Sequence, residues 1–274
     1  MEATQTQDLP PKLNDALPLD IDFDAVFAQI SPEEKEQMFD ALMIMNECQR
    51  VLSATNHSVV TELLRFTDKF KYWAHVPPKD VLDGHSSSQY YYHAHTASSE
   101  KNATIRHDGE HGHFHSFMRR AGMREEEQPY PALDVEKSTA DIKKHLSHIL
   151  GISMDKTGNI TGLFTTNRWV TGEVWYKAED VIAMARRYEI DHAQPSWPVN
   201  LWMSQCFAAF MPVIERLLIK RDEMVAHWAA EHAQDEGAEA AYNVFEDRRL
   251  ELTSYCAIDL VKITQYFSDD AAPV

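Results

Sequence analysis

The chain is poor in cysteine and in positive charge, and each shortage removes a class of protein. Its 274 residues hold three cysteines, Cys48, Cys206 and Cys256. They are isolated, odd in number and without a CxxC spacing, which argues against a disulfide framework and fits the reduced thiols of a cytoplasmic protein. Lys and Arg number 26 against 43 Asp and Glu, giving a formal net charge of −17. Nucleic acid and anionic membranes are held by Lys and Arg set against phosphate, so neither is expected as a partner. No run of about eighteen apolar residues exists to span a bilayer. The best stretch, 206–219, is broken by Pro212, Glu215 and Arg216. The first 24 residues lack the basic and apolar regions of a signal peptide. A glycine-rich phosphate loop, an H-E-x-x-H helix and a G-x-S-x-G elbow are absent, which disfavours nucleotide-dependent enzymes, zincin proteases and α/β-hydrolases. There is no internal repeat or sustained heptad.

What remains is an ordinary globular composition, 44% hydrophobic and 25% charged, long enough for a substantial core. Residues 1–24, rich in Asp and Pro, read as an extended arm, with one domain over 25–274. Ser31-Pro32-Glu33-Glu34 starts a helix, with serine as cap, proline in the first turn and acids beside the positive dipole end. Apolar spacing carries that helix to about residue 54, and a short one follows over Ser58–Phe66. From Tyr72 the texture changes. Pro77-Pro78, Gly84 and Ser86–Ser88 read as breakers, and Tyr90–His95 as an aromatic strand. Asp108-Gly109 is a turn pair, so 103–107 is expected to return into a strand over 110–118. Leu146–Met154 and Ile160–Thr166 flank a five-residue loop and form the clearest hairpin. Helices are expected over 178–188 and from Pro198 to about His232, the latter kinked at Pro212. A strand over 249–257 precedes a terminal helix capped by Asp259. Helices at both ends of a central antiparallel sheet make the class α+β.

The densest signal is histidine. Six of the fourteen lie between His93 and His115: five in Tyr90-Tyr91-Tyr92-His93-Ala94-His95 and Glu110-His111-Gly112-His113-Phe114-His115, and His107 between the two runs. Strand side chains alternate between faces, so His93 and His95 share a face with Tyr91, and His111, His113 and His115 share one of their own. An H-x-H pair sets two imidazoles about 7 Å apart at the backbone, close enough to meet on one ion, whereas three in a row span about 13 Å. Pairing the two strands lets His93 and His95 join one or two of the other three. Imidazole ligation suits Fe(II), Zn(II), Cu(II), Mn(II) or Ni(II), and three ligands with an open position make a catalytic site. One histidine on a strand is ordinarily a packing or surface residue; five at strict alternation are not explained by packing.

The metal ligands are therefore expected among His93, His95, His111 and His113. His115, Tyr91 and Glu110 are assigned to catalysis. Tyr91 would bond a bound oxygen, His115 would carry protons, and Glu110 would serve as base or as a partner of a ligand. Glu110 has the wrong strand parity to join the histidines unless a bulge re-aims it. Asn167, Arg168 and Glu173, in the polar stretch leaving the hairpin, are candidates for substrate contacts, with Arg168 able to clamp an acidic group. His148 is the better further ligand candidate of the pair His145 and His148.

At YYYHAH (90–95), EHGHFH (110–115) and FTTNRWVTGEVWY (164–176) the chain resembles an uncharacterised bacterial family of unknown function, over most of 30–260. That resemblance implies a shared fold and site but no activity. His93-Ala94-His95 also resembles the H-x-H pair of the cupins, whose motif continues to a glutamate shortly afterwards. The next glutamate here, Glu100, lies in a polar loop, and the helical ends depart from a plain cupin barrel. The expectation is a histidine-ligated metalloenzyme acting on a small molecule, with Fe(II) and oxygenase chemistry first. Zn(II) with hydrolase or lyase chemistry is the alternative within enzymes, and a non-catalytic metal-handling protein the alternative outside them. A homo-oligomer is left open.

Overall fold

A computed structural model of the chain describes residues 20–65, 67, 69–94, 109–130, 145–233 and 242–270. His95, His107 and the strand expected over 103–107 lie outside the described residues. Helices and strands follow in the order α1 (Phe23–Phe27), α2 (Pro32–Ser53), α3 (Val59–Leu64), β1 (Val76–Leu82), β2 (Ser88–Ala94), β3 (Glu110–Arg119), β4 (Leu146–Asp155), β5 (Ile160–Thr166), α4 (Arg168–Thr171), α5 (Ala178–Ala185), α6 (Trp197–Glu231), β6 (Leu252–Ala257) and α7 (Leu260–Asp270). The six strands form one antiparallel sheet in sequence order, β1 to β6. The α+β class and the arrangement of helices before and after the sheet are as expected.

Local chemistry sets the helix boundaries. Ser31 accepts the Glu34 amide and Glu34 reaches back to the Ser31 N–H, a reciprocal cap on α2 with Pro32 behind it. Met38, Ala41, Met45, Cys48 and Leu52 then fall three or four apart and are buried, one stripe of the helix. In α6 the backbone leaves helical geometry at Phe210 (φ −112°, ψ 17°), two residues before Pro212, where the proline ring and its missing N–H disrupt the preceding turn. Asp259 caps α7 by accepting the Val261 and Lys262 amides.

Two expectations need correction. β1 was hidden by Pro77-Pro78. It is the edge strand, where a residue without an N–H removes no ladder bond on the outer side. Residues 20–24, read as part of an arm, are tied to the fold: Ile21 donates to the Tyr255 carbonyl at 2.7 Å and Phe23 opens α1.

Strand alternation divides the sheet into two faces. One carries Tyr90, Tyr92, Phe114, Met118, Leu150, Ile152, Leu163 and Cys256, fully buried in the main core with α2 and α6. Tyr90 donates to Asn200 of α6 at 2.6 Å, and Ser254 of β6 donates to the Leu217 carbonyl at 2.9 Å, fixing the long helix across the sheet. The opposite face carries His93, His113, His115, Phe117 and Phe164. All three cysteines are free and buried. Among the described residues no helix is long and apolar enough to cross a membrane.

Candidate metal centre

The site follows from strand register. On β2 and β3, His93 pairs with His113 and Tyr91 with His115. Directly opposite residues on one face bring their side chains within about 5 Å, so the pairing delivers three imidazoles to one place. Toward the start of β3 the register with β4 shifts: Glu110 pairs with Asp155 and Gly112 with Met154, leaving His111 as an extra residue. This bulge reverses the parity of the strand. Glu110 joins the histidine face. His111 leaves it and meets Tyr92 on the other side, Nδ1 to hydroxyl at 2.7 Å. The expectation that His111 shares a face with His113 and His115 is therefore corrected, while the bulge on which Glu110 depended is present. Gly112 permits the close approach, because a Cβ there would lie 2.3 Å from the His93 carbonyl oxygen and 2.5 Å from the Tyr92 hydroxyl.

Three ring nitrogens converge. His113 Nε2 lies 2.7 Å from His93 Nε2 and 3.0 Å from His115 Nε2, and each of the three residues offers a nitrogen within 4.8 Å of the others. On its other side His113 Nδ1 faces Glu110 Oε1 at 2.8 Å, and Glu110 Oε2 accepts from Ser153 at 2.6 Å. A carboxylate only accepts, so His113 Nδ1 carries the proton and, in the neutral ring, Nε2 presents a lone pair. One lone pair does not satisfy two neighbouring nitrogens by hydrogen bonding. A cation between them does, and a carboxylate on the far nitrogen of a ligand histidine is the usual support for one.

Two of these imidazoles, His115 and His148, are held uncharged by their surroundings. Burial, followed by the neighbouring imidazoles, holds His115 well below the ordinary histidine range. His115 Nδ1 is 3.0 Å from His148 Nε2, and the other nitrogen of His148 is 3.5 Å from Thr166 Oγ1. His148 is itself lowered to about 3 by burial and by Arg221. A neutral imidazole such as that of His115 keeps one lone pair free of a proton, the state that a metal requires of a ligand.

Aromatic rings wall the group. Phe164 packs edge-on to His113 at 5.0 Å, over Gly151, where a Cβ would strike the Phe164 ring at 2.3 Å. Tyr91 lies between Phe117 and His75, and Trp73 meets His93 edge-on at 5.9 Å.

The residues of 167–173 are placed differently. Asn167 caps α4, accepting the Arg168 amide, and donates to the Val244 carbonyl; Arg168 pairs with Glu246. Both bind the 244–246 turn rather than turning toward the histidines. Glu173 accepts the His148 amide at 2.6 Å and the Ser147 hydroxyl at 3.2 Å, so it supports the strand that carries His148. Burial raises its carboxyl to about 7, against the pull of Arg221. Sequence reading ranked His148 outside the cluster and passed over His75. Neither carries a signal in the sequence: His148 reaches the group through the register shift between β3 and β4 near Ser116 and Phe117, and His75 from the residue before β1.

No curated protein and no solved structure matches the chain. The cupin likeness has no counterpart in the fold: cupins are double-sheet jelly rolls, whereas here β1 and β6 are the edges of one sheet. One family model, a domain of unknown function (DUF6969), matches residues 40–258, which take in all six strands and every residue of the histidine group. The chain belongs to that family.

Proposed function

We propose that His93, His113 and His115 bind one divalent metal and that the protein is a metal-dependent enzyme acting on a small molecule. The observation that carries this is the single nitrogen of His113 facing two others at 2.7 and 3.0 Å. Imidazole donors with open positions beside them suit Fe(II), and oxygenase chemistry is the first reading. Bound iron would supply the activation of O2. The chain's own part is to hold the proton on His113 Nδ1 through Glu110, to keep His115 neutral, and to wall the site with Phe117, Phe164 and Trp73. A second reading, Zn(II) with hydrolase or lyase chemistry, is favoured by the Glu110–His113 pair, a frequent support of zinc ligands.

The test is elemental analysis of untagged protein purified without oxygen or added metal, beside His93→Ala. About one iron per chain, lost in the variant, supports the first reading, and O2 consumption is then measured. Stoichiometric zinc turns the assignment to the second. No metal in either, with reconstitution also failing, overturns both.

A further inference from the structure

The turn that leads into β1 carries bulky aromatic residues that the fold does not bury. Phe70, Tyr72 and Trp73 are 44, 48 and 46% exposed, three large rings within four residues. Ala74 donates to the Lys71 carbonyl at 3.3 Å and closes the turn over Tyr72 and Trp73. Trp73 stands at the third position of that turn with φ +66°, and Tyr72 before it is not left-handed. A type II turn ordinarily gives this place to glycine or asparagine, which tolerate a left-handed backbone. A bulky residue there is an outlier. Burial of the ring would offset the strain, but nearly half of Trp73 faces solvent. Strain that packing does not repay is characteristic of ligand clamps and active sites.

The turn is fixed to the strand that carries His93. Trp73 donates its amide to the Ala94 carbonyl at 3.0 Å, and its ring meets His93 edge-on at 5.9 Å. His75, just after the turn, lies flat on Tyr91, centroids 3.6 Å apart and planes 8° apart, with Nδ1 2.8 Å from Asp80 Oδ1. Beyond it five steps on β1 (Val76 to Val81) oppose two on β2 (Tyr92 to Tyr90), so the chain here stands off the regular ladder. Phe70 and Tyr72 meet edge-on at 5.0 Å. Trp73 therefore touches a ligand of the proposed metal while half of it remains in solvent, and a molecule bound to the metal can lie against it. Lys69 and Lys71 alternate with the rings and are exposed, local positive charge in a chain whose net charge is −17.

We propose that the 69–73 strip is the substrate-recognition element of the metal centre and that the substrate is a small aromatic acid, its ring against Trp73 and its acidic oxygen on the metal. This rests on the metal reading. Rings attract rings beyond the area they bury, in offset or edge-on contact, a preference that aliphatic groups lack. The two lysines draw an anion toward the site. The bond to Ala94 and the stacking of His75 on Tyr91 hold the turn in place before the substrate arrives.

The test titrates the metal-loaded full chain with acetohydroxamic and benzohydroxamic acids, which chelate through the same group and differ as methyl against phenyl. The ratio of their affinities reports on the ring, and the ligands' own preference for the metal is common to every variant. The ratio in the wild type should exceed that in Trp73→Gly about tenfold, with metal content and acetohydroxamate affinity unchanged. Trp73→Phe recovers most of it, and Trp73→Leu, apolar without a ring, does not. That pair decides alone if the glycine variant fails to fold. Lys69→Gln with Lys71→Gln weakens both ligands about 2–5-fold at low ionic strength. Equal ratios in the wild type and Trp73→Gly, or in the Phe and Leu variants, overturn the proposal. So does loss of metal from Trp73→Gly, which would make the ring a support of the site. Failure of both hydroxamates to bind protein that holds its metal overturns it too. A wild-type dimer that Trp73→Gly dissolves does the same, giving the strip to a second copy of the chain. Unchanged affinities in the lysine variant overturn the charge assignment. A wild type that takes up no metal defeats the metal reading instead. The strip is then judged by saturation-transfer NMR of benzoic acid on the metal-free chain, and no signal, or a signal unchanged in Trp73→Gly, overturns it.

Discussion

At the scale of the residue, neighbouring histidines of one strand have different work. His113 has both nitrogens committed, one to Glu110 and one to the shared point, while His111 bonds Tyr92 behind the sheet. His113→Ala is expected to abolish metal binding. His111→Ala should keep full metal content and lose about 1 kcal/mol of stability with its hydrogen bond. Glu110→Gln keeps the ring in place but weakens its support, and metal affinity should fall about 10–100-fold. Competition with a chromophoric chelator measures all three. Glu173 supplies a pH prediction. Its carboxyl is raised to about 7 in the fold, chiefly by burial, from 4.5 when exposed. The folded state then holds the proton more tightly than the unfolded chain, so this contribution to stability is complete below pH 4.5, falls as pH rises to about 7 and is flat above. Glu173→Gln, neutral at every pH, should gain about 3 kcal/mol on the wild type between pH 4.5 and pH 8. Urea unfolding at pH 5, 6, 7 and 8 checks it, and a constant difference across the series refutes the assignment.

At the scale of the element, irregularities rather than regular strands make the site. The bulge at His111 turns Glu110 inward, and the larger one in β1 turns His75 over Tyr91. Gly112 is the position on which the first depends. An added Cβ would meet backbone of β2, the His93 carbonyl at 2.3 Å and Ala94 Cα at 2.7 Å, and backbone has no rotamer by which to escape. Gly112→Ala is expected to push β2 from β3, costing about 1–3 kcal/mol and weakening metal binding, since His93 and His113 come from the two separated strands. A thermal melt and a metal titration on one preparation test both parts; an unchanged affinity in a destabilised protein would place the ligands elsewhere.

At the scale of the molecule, the sheet has a different task on each face. One face is packed against α2 and α6 and supplies stability; the other holds imidazoles and aromatic rings. A metal bound there joins β2 to β3 and is absent from the unfolded chain, so it stabilises by mass action, about 2.7 kcal/mol at a hundredfold excess over Kd. For a chain of this size that is a rise of about 5–10 °C in Tm. Scanning calorimetry with and without chelator should show it in the wild type and not in His113→Ala.

What the sequence by itself determined is what is local. Ser31-Pro32 with Glu34 marks the start of α2, Asp259 the start of α7, and apolar runs either side of 155–159 the β4–β5 hairpin, because caps, helical spacing and turn loops are settled by residues a few positions apart. Five alternating histidines likewise marked where the candidate metal centre lies. Which of them meet was decided only by tertiary structure. Adding one residue to a strand reverses every side chain beyond it, and nothing near His111 announces that it is the extra one; the choice is made by the pairing of β3 with β4. β1 was illegible for the same reason, since two prolines forbid a central strand and permit an edge one, and edge position belongs to the whole sheet. His148 and His75 come to the site from 33 residues after His115 and from the residue just before β1. Their contacts are long-range, and the sequence pattern around each is that of an ordinary buried or surface histidine.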